Sequence, residues 1–209
     1  MICEGLFTIG LCGRSGAGKG YVSKCFQMKG IPVIDTDAVY RSITDGSGPF
    51  ECNAELASVF GQDILREDLS LDRRRLARIV FAEGAEYKLK MLNEITHKYI
   101  FVETLRLANL HKKAGARSII LDAPVLFESG FDYYCDKKLC VTCPHEVSVS
   151  RICQRDGISA FDAERRLENQ MPQDELRARC DGEIVNDGKT NILSEVDRII
   201  ELWGLKDEQ

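Results

Sequence analysis

The sequence predicts an α/β protein in which helices cover both faces of a parallel sheet of about five strands. Short apolar runs, each bounded by Gly, Pro or Asp, alternate along the chain with segments of helical length. The runs cover residues 7–12, 31–34, 118–121, 139–142 and 183–185. A chain of 209 residues is long enough for one such domain and too short for two full ones.

The composition is that of an ordinary folded protein without a membrane span. Hydrophobic residues make up 44% of the chain and charged residues 29%, and no apolar run approaches the roughly 18 residues that cross a bilayer. The net charge of −5 argues against a general nucleic-acid binder. Residues 1–12 lack a basic segment and a small-residue cleavage site, so we expect no export signal and a cytoplasmic location. The sequence does not indicate an oligomeric state.

The nine cysteines, an odd number scattered from Cys3 to Cys180, indicate reduced thiols rather than a disulfide framework. One closely spaced pair, Cys140 and Cys143, has His145 nearby and could be half of a zinc site or a redox pair. However, no second ligand pair follows at zinc spacing, and the stretch has the pattern of a buried strand. A strand is therefore the favoured interpretation.

The strongest chemical signal is the glycine-rich segment 10–20, GLCGRSGAGKG, which lies between the first apolar run and a helix. Such a turn lets successive backbone N–H groups point at phosphate oxygens, and the helix N-terminus adds partial positive charge. A lysine in the position of Lys19 reaches the β and γ phosphates of a nucleotide. A flexible connecting loop is the alternative, but strand, spacing, Gly-Lys pair and helix occur together here. The residues expected to bind the nucleotide are Gly13, Gly16, Ala17, Gly18, Lys19, Gly20 and Tyr21.

Gly20 departs from the phosphate-binding pattern, because Ser or Thr usually stands there and offers its hydroxyl to Mg²⁺. Ser23, one turn further along the helix, could contribute through a water molecule or could be an ordinary helix-surface serine. The sequence therefore leaves the ligands of Mg²⁺ open.

Three aspartates follow predicted strands, at the edge of a parallel sheet where ligands gather. Asp37 could orient an acceptor hydroxyl and take its proton, while Asp35 could hold a metal-bound water. The alternative for these two residues is capping of the next helix. Asp122 directly follows a buried strand, which is the arrangement of a carboxylate that faces Mg²⁺ through water.

Two segments interrupt the alternation of strands and helices. Residues 37–116 are far longer than a crossover requires and include a helical pattern from about 85 to 113 that Gly115 ends. We expect this segment to be a helical insertion that binds the acceptor. Residues 151–180 carry six arginines and are expected to form a mobile lid. The remaining core comprises residues 1–36, 117–150 and 181–209.

Five segments together resemble the dephospho-coenzyme A kinase family in order and spacing, over nearly the whole chain. They are the glycine-rich segment, VIDTDAVYR at 33–41, LDRRRLARIVF at 71–81, APVLFESG at 123–130, and RD…ERRLENQM…CDGEIVNDG between 155 and 188. The resemblance implies a three-layer P-loop NTPase fold with ATP as phosphoryl donor and Mg²⁺ as cofactor. It also implies the reaction, transfer of the γ-phosphoryl group to the ribose 3′-hydroxyl of dephospho-CoA in the last step of coenzyme A synthesis.

The resemblance further implies roles for particular side chains. Asp37 is the implied general base, and Lys19 the implied stabiliser of the γ-phosphate. Arg151 and Arg155 resemble lid arginines that close over ATP, with a solvated arginine face as the alternative. The implied contacts to the acceptor are Asp37, Arg41, Arg73 and His97.

The chain departs from the family pattern at four positions, and three functions stay open. Gly20 and Tyr21 replace the usual Ser-Thr pair, Lys98 stands where Pro is usual, and Cys180 stands where Ala is usual. The first function is an active dephospho-CoA kinase, and the second is a kinase for another nucleoside or nucleotide acceptor. The third is a nucleotide-binding protein whose catalysis is impaired at Gly20. A GTPase is disfavoured because the sequence contains no Asn-Lys-x-Asp motif.

Overall fold

A computed structural model describes residues 2–46 and 51–206, and within these ranges it contains one parallel sheet of five strands. The spatial order is β2-β3-β1-β4-β5. The strands are β1 (Phe7–Cys12), β2 (Val33–Asp35), β3 (Ser118–Asp122), β4 (Lys137–Thr142) and β5 (Gly182–Val185). The predicted α/β fold with a parallel sheet of about five strands is confirmed.

Two strands begin two residues away from the start expected from the sequence, and the other differences in strand boundaries are of one residue. Ile31 was expected to open the second strand, but its backbone N–H donates to the carbonyl of Phe26 at 3.0 Å, so β2 begins two residues later. The fourth strand begins two residues earlier than its apolar run, at Lys137. The carboxylate of Asp181 ion-pairs with Lys137 at 3.3 Å and accepts from the backbone N–H of Lys138 at 2.8 Å. A charged strand end carries no apolar pattern, which is why the sequence did not indicate it.

Nine α-helices and two short 3₁₀ helices complete the structure within the described residues. The α-helices are α1 (Lys19–Met28), α2 (Thr36–Thr44), α3 (Glu51–Phe60), α4 (Arg73–Val80), α5 (Glu86–Lys113), α6 (His145–Asp156), α7 (Ala160–Glu168), α8 (Gln173–Ala178) and α9 (Ile192–Trp203). The 3₁₀ helices are Gln62–Ile64 and Phe131–Tyr134. No helix among the described residues is both long and apolar enough to cross a membrane.

The long helix predicted to end at Gly115 is confirmed as α5. Gly115 has a φ of 92°, and the backbone N–H of Ala116 donates to the carbonyl of His111 at 3.0 Å. A left-handed glycine directly after a helix allows this backward hydrogen bond, which satisfies a carbonyl of the last turn.

The chain divides into two compact units. The first unit comprises residues 2–34 and 108–206 and contains the phosphate-loop segment, the sheet and the arginine-rich helices. The second unit is helical and comprises residues 35–107 apart from 47–50. The division into a core, an acceptor-binding insertion (37–116) and a lid (151–180) stays a proposal. Residues 1 and 207–209 of that core and 47–50 of that insertion lie outside the described residues.

The core of the first unit lies between the sheet and the helices α1 and α9. Ile9 in β1 and Leu139 in β4 are fully buried, and they pack with Phe26 of α1 and Val196 of α9. Burying one such side chain is worth about 1.5–3 kcal/mol relative to leaving it in water. Strands covered on both faces read as nearly continuous apolar runs, as β1 and β3 do. This packing fixes the carboxyl end of β1, where the glycine-rich segment begins.

The second unit is held by buried aliphatic side chains and by polar ties between its helices. Asn53 is buried, and its side-chain amide donates to the carbonyls of Thr44 at 3.3 Å and Leu69 at 3.0 Å. The carboxylate of Glu55 in α3 accepts from the ammonium of Lys98 in α5 and from the hydroxyl of the adjacent tyrosine. Lys98, which departs from the family pattern, therefore links α3 to α5.

Candidate active site

The glycine-rich loop between β1 and α1 approaches neighbouring backbone too closely for a side chain. Gly16 has a φ of 79°, and a Cβ there would lie 2.5 Å from the carbonyl oxygen of Ser148. A Cβ on Gly13 would lie 2.4 Å from the carbonyl oxygen of Val141. Real Cβ atoms do not approach oxygen this closely, so glycine is required at both positions. The loop is a close-fitting element of the first unit and not a loose connection.

The start of α1 leaves its first backbone donors available. Gly18 is the N-cap residue with a φ of 89°, and a glycine has no side chain to cap the helix. The first N–H groups of a helix have no partner within the helix, and together with the helix dipole they favour an anion. Lys19, the first residue of α1, donates from Nζ to the carbonyl of Gly13 at 3.1 Å. The loop and the lysine are thus arranged as in a phosphate-binding site.

A buried hydroxyl lies one turn beyond Gly20 on α1. Ser23 Oγ donates to Oδ2 of Asp122 at 2.7 Å, and both residues are buried. Asp122 is the last residue of β3, so this hydrogen bond links α1 directly to the sheet. A Cβ on Gly20 would meet no atom within 4 Å, which shows that position 20 has room for a side chain. The structure therefore favours a specific contact for Ser23 over an ordinary surface serine.

Arg151 on α6 donates hydrogen bonds to the glycine-rich loop and to the segment after β5. Its Nη1 donates to the carbonyl of Gly16 at 3.2 Å and to that of Asn186 at 3.1 Å. Its Nη2 donates to Oδ1 of Asn186 at 3.2 Å, and the side-chain amide of Asn186 donates to the carbonyl of Ala17 at 2.9 Å. Arg151 and Asn186 therefore hold the loop from two sides.

Arg155, one turn later on α6, is more exposed than Arg151. Its Nη2 donates to Ser15 Oγ at 3.3 Å, and its guanidinium forms a two-bond ion pair with Asp156. The backbone N–H of Ser15 donates to Oε1 of Gln170 at 2.9 Å. Arg14 donates to the carbonyl of Leu167 at the end of α7. The arginine-rich segment and the glycine-rich loop thus contact each other through both side chains and backbone.

Asp35 rather than Asp37 caps the helix α2. Oδ1 of Asp35 accepts from the backbone N–H groups of Asp37 at 2.8 Å and Ala38 at 3.1 Å. Oδ2 of Asp35 lies 3.8 Å from the guanidinium of Arg41. Asp37 lies in the first turn of α2 with an exposed side chain. Helix capping, the alternative for both residues, is therefore met by Asp35 and leaves the Asp37 carboxylate facing solvent.

The three basic residues predicted to contact an acceptor also lie in the second unit. Arg73 begins α4, where its guanidinium lies 5.3 Å from the ring centre of Tyr40 and donates to Thr44 Oγ1 at 3.1 Å. These contacts orient Arg73 against α2, the helix that also carries the exposed Arg41. His97 is half-buried on α5, and burial lowers its pKa, which favours the neutral imidazole at pH 7. His97 is thus suited to hydrogen bonding and the arginines to binding negative charge.

Two residues that hold the loop were quoted in the family motifs but given no role from the sequence. Asn186 follows β5 and Gln170 follows α7, yet their side chains reach Ala17 and Ser15 respectively. A local pattern cannot reveal such long-range contacts. The only available signal was their presence in the run that resembles the family, CDGEIVNDG and ERRLENQM.

The comparison with protein families gives one match over most of the chain. The family model described as dephospho-CoA kinase (CoaE) matches residues 7–191. A protein named dephospho-CoA kinase from Bacillus cereus (strain ATCC 10987 / NRS 248) is 34% identical over 201 residues, covering 96% of this chain and 98% of its own length. One of the same name from Shouchella clausii (strain KSM-K16) is 33% identical over 180 residues, covering 86% and 89%.

Solved structures of similar proteins cover the same span. TT1252 from Thermus thermophilus is 29% identical with a TM-score of 0.79, covering 98% of this chain and all of its own. A dephospho-CoA kinase from Campylobacter jejuni is 25% identical with a TM-score of 0.68, covering 93% of this chain and 95% of its own.

The close fit of the loop predicts a specific effect of Gly16→Ala. The new Cβ meets the backbone at Ser148, so the loop must shift, and the positive φ adds about 1–2 kcal/mol of strain. We expect the dissociation constant for ATP to rise about tenfold or more, since 1.4 kcal/mol is a factor of ten. Isothermal titration calorimetry without acceptor measures this constant.

Gly30→Ala is the matched control for that change. Gly30 has a nearly equal φ of 80°, but a Cβ there meets no atom within 4 Å. The control should lose thermal stability through strain alone and keep its ATP affinity. Unchanged ATP affinity in Gly16→Ala would contradict the argument that the loop must fit closely to bind.

Proposed function

The chain belongs to the dephospho-CoA kinase family, and from that premise we propose that it phosphorylates the ribose 3′-hydroxyl of dephospho-CoA with ATP. The products are CoA and ADP, and the reaction is the last step of CoA synthesis. The observation that carries this proposal is the glycine-rich loop, held in a close-fitting shape at the start of α1 with Lys19 beside it. We further propose that the enzyme works in the cytoplasm, without nucleic-acid or membrane partners.

The phosphate end of the site is proposed to lie in the first unit. Backbone N–H groups of the loop and the start of α1 bind the phosphates, and Lys19 Nζ neutralises charge that develops on the γ-phosphoryl group. Gly13, Gly16 and Gly18 allow this shape, and Arg151 with Asn186 keeps it in place. Arg155, whose guanidinium is more exposed, is the lid arginine proposed to approach the nucleotide itself.

The acceptor end is proposed to lie in the second unit. Asp37 accepts the proton of the 3′-hydroxyl as the nucleophilic oxygen attacks phosphorus. Its exposed carboxylate is available for this task because Asp35 caps the helix. Arg41 and Arg73 supply positive charge for the acceptor's phosphates, and His97 supplies a neutral hydrogen-bonding group.

The residues present fit Mg²⁺, which prefers oxygen ligands and keeps several of its waters. Asp122 and Ser23 present a buried carboxylate and a hydroxyl 2.7 Å apart beside the loop. We propose that these two residues hold the ion, and a contact of Asp35 with metal-bound water stays a prediction from the sequence. When bound, Mg²⁺ would offset the negative charge of the phosphates. Ser23 in this proposal takes the part usually played by a hydroxyl at position 20.

A protein that binds nucleotide with impaired catalysis is the second candidate, because Gly20 lacks that hydroxyl. A kinase for another nucleoside or nucleotide is a third, which would share the loop and lid but differ in its acceptor contacts. The deciding experiment measures ADP production with ATP and Mg²⁺ in the presence of dephospho-CoA, adenosine, AMP or no acceptor. Product identification by mass completes it. We expect turnover with dephospho-CoA that yields CoA; turnover only with another acceptor, or none despite ATP binding, would overturn the proposal.

Asp37→Asn tests the proposed general base. The amide cannot accept the proton, so we expect kcat to fall about 100-fold or more while the ATP dissociation constant stays the same. Steady-state kinetics and calorimetry measure the two quantities. The control is Asp63→Asn, an exposed aspartate of the same unit, which should turn over normally. Near-normal kcat in Asp37→Asn would remove Asp37 from this role.

Ser23→Ala and Gly20→Ser test whether the Ser23 hydroxyl serves in place of a hydroxyl at position 20. Loss of the Ser23 hydroxyl should raise the Mg²⁺ concentration for half-maximal rate about fivefold, as expected for one hydrogen bond of about 1 kcal/mol. Gly20→Ser, which the open space at position 20 accommodates, should lower it, and the double variant should lie near the wild type. The Mg²⁺ dependence of ATP binding, measured by calorimetry without acceptor, should follow the same order. An unchanged dependence in Ser23→Ala would rule out its part in the metal site.

A further inference from the structure

Three cysteines that are far apart in the sequence meet beneath the glycine-rich loop. Cys12 is the last residue of β1, and Cys140 is its partner in the neighbouring strand β4. Cys180 lies two residues before β5, the next strand along the sheet. The three sulfur atoms all lie within 4.8 Å of one another, and those of Cys12 and Cys180 are 3.4 Å apart. We call these three residues the thiol cluster.

The cluster differs from the cysteine pair that the sequence suggested. Cys143 does not join Cys140, because its thiol lies 2.8 Å from the hydroxyl of Ser148, against α6. Among the described residues, the thiol cluster is the one group of His, Cys, Asp or Glu side chains arranged closely enough to hold a metal ion. The favoured interpretation of this stretch as a strand is confirmed for Cys140, which lies in β4 and belongs to the thiol cluster without Cys143.

The distances within the cluster suit metal coordination. A zinc–sulfur bond is about 2.3 Å, so sulfur ligands of one ion lie roughly 3.8–4.0 Å apart. The sulfur–sulfur distances in the cluster are 3.4 Å for Cys12 and Cys180 and at most 4.8 Å for any pair. Small side-chain rotations would bring them to the distance expected for ligands of one ion. All three residues are free thiols. Cys12 and Cys140 are buried, whereas Cys180 is partly exposed, so the ion can reach the cluster from solvent at Cys180.

Positively charged side chains near the cluster favour the thiolate form of Cys140. Cys140 accepts hydrogen bonds from the thiols of Cys12 and Cys180, and Lys19 and Arg177 add positive charge nearby. These contacts lower the pKa of Cys140, although burial opposes them, and contacts within the cluster and burial raise the pKa values of Cys12 and Cys180. A metal ligand must be deprotonated, so a bound ion would compete with the thiol protons.

We propose that Cys12, Cys140 and Cys180 form a binding site for one thiophilic d¹⁰ metal ion, of which Zn²⁺ is the probe used here. Three thiolates without a carboxylate or imidazole form a soft ligand set, which selects Zn²⁺ or Cu⁺ over Mg²⁺. Binding displaces the thiol protons of the ligands to solvent and requires no oxidant or reductant. The ion would join β1, β4 and the segment before β5 next to Gly13, where the loop begins. The site is separate from the one proposed for Mg²⁺ and does not depend on the proposed reaction.

The test uses the whole chain, reduced with a phosphine and handled without oxygen. Zn²⁺ is titrated against a chromophoric chelator, and Cd²⁺ is titrated separately because thiolate-to-cadmium charge transfer absorbs in the ultraviolet. We expect about one ion per chain, the cadmium band, and proton release on binding that rises with lower pH. The zinc-loaded chain should also unfold at a higher temperature, because the ion binds the folded form.

Cys140→Ser and Cys180→Ala test the ligands, and Cys153→Ser is the matched control. Cys153 is a partly buried thiol of α6 outside the cluster. Each cluster variant should weaken zinc binding roughly 100-fold or more and reduce the cadmium band, while the control binds as the wild type does. Cys180 is partly exposed, so its variant remains informative even if Cys140→Ser does not fold; circular dichroism and thermal unfolding establish which variants are folded. Absence of stoichiometric zinc binding by the wild type, or equal binding by Cys180→Ala, would overturn the proposal.

Discussion

The approach of the glycine-rich loop to the backbone around it is the constraint on which the first unit depends. Gly13 and Gly16 allow the loop to lie against the carbonyls of Val141 and Ser148, at distances that exclude any Cβ. Because those carbonyls belong to the end of β4 and to α6, the loop, the sheet and the arginine-rich helices must fit together. The start of α1 and Lys19 are positioned through the same fit. The shape of the proposed phosphate site thus depends on packing as well as on the sequence motif.

The fold was largely predictable because it rests on local patterns. Apolar runs located all five strands, and Gly115 correctly ended the long helix α5. The errors arose where tertiary contacts decide: Ile31 closes the end of α1 by a hydrogen bond to Phe26, and Lys137 extends β4 beside Asp181. Neither contact produces a periodic pattern of apolar residues in the sequence.

The candidate site was predictable in its motifs but not in its connections. The glycine-rich segment and Asp122 were identified by spacing, whereas the bond from Ser23 to Asp122 joins residues far apart in sequence. The sequence also could not decide which of Asp35 and Asp37 caps α2, because Asp35 lies directly before the helix and Asp37 lies in its first turn. The thiol cluster could not be predicted from the sequence for a related reason. Its cysteines are far apart along the chain, and strand pairing brings them together.

Arg151 and Asn186 have a consequence for the energetics of recognition. They contact carbonyls of the loop, so contacts within the protein contribute to the shape of the loop. Folding thus bears part of the conformational entropy of shaping the site, and binding has less of it to supply. If the loop does not have to be ordered during binding, more of the free energy of each phosphate contact contributes to affinity.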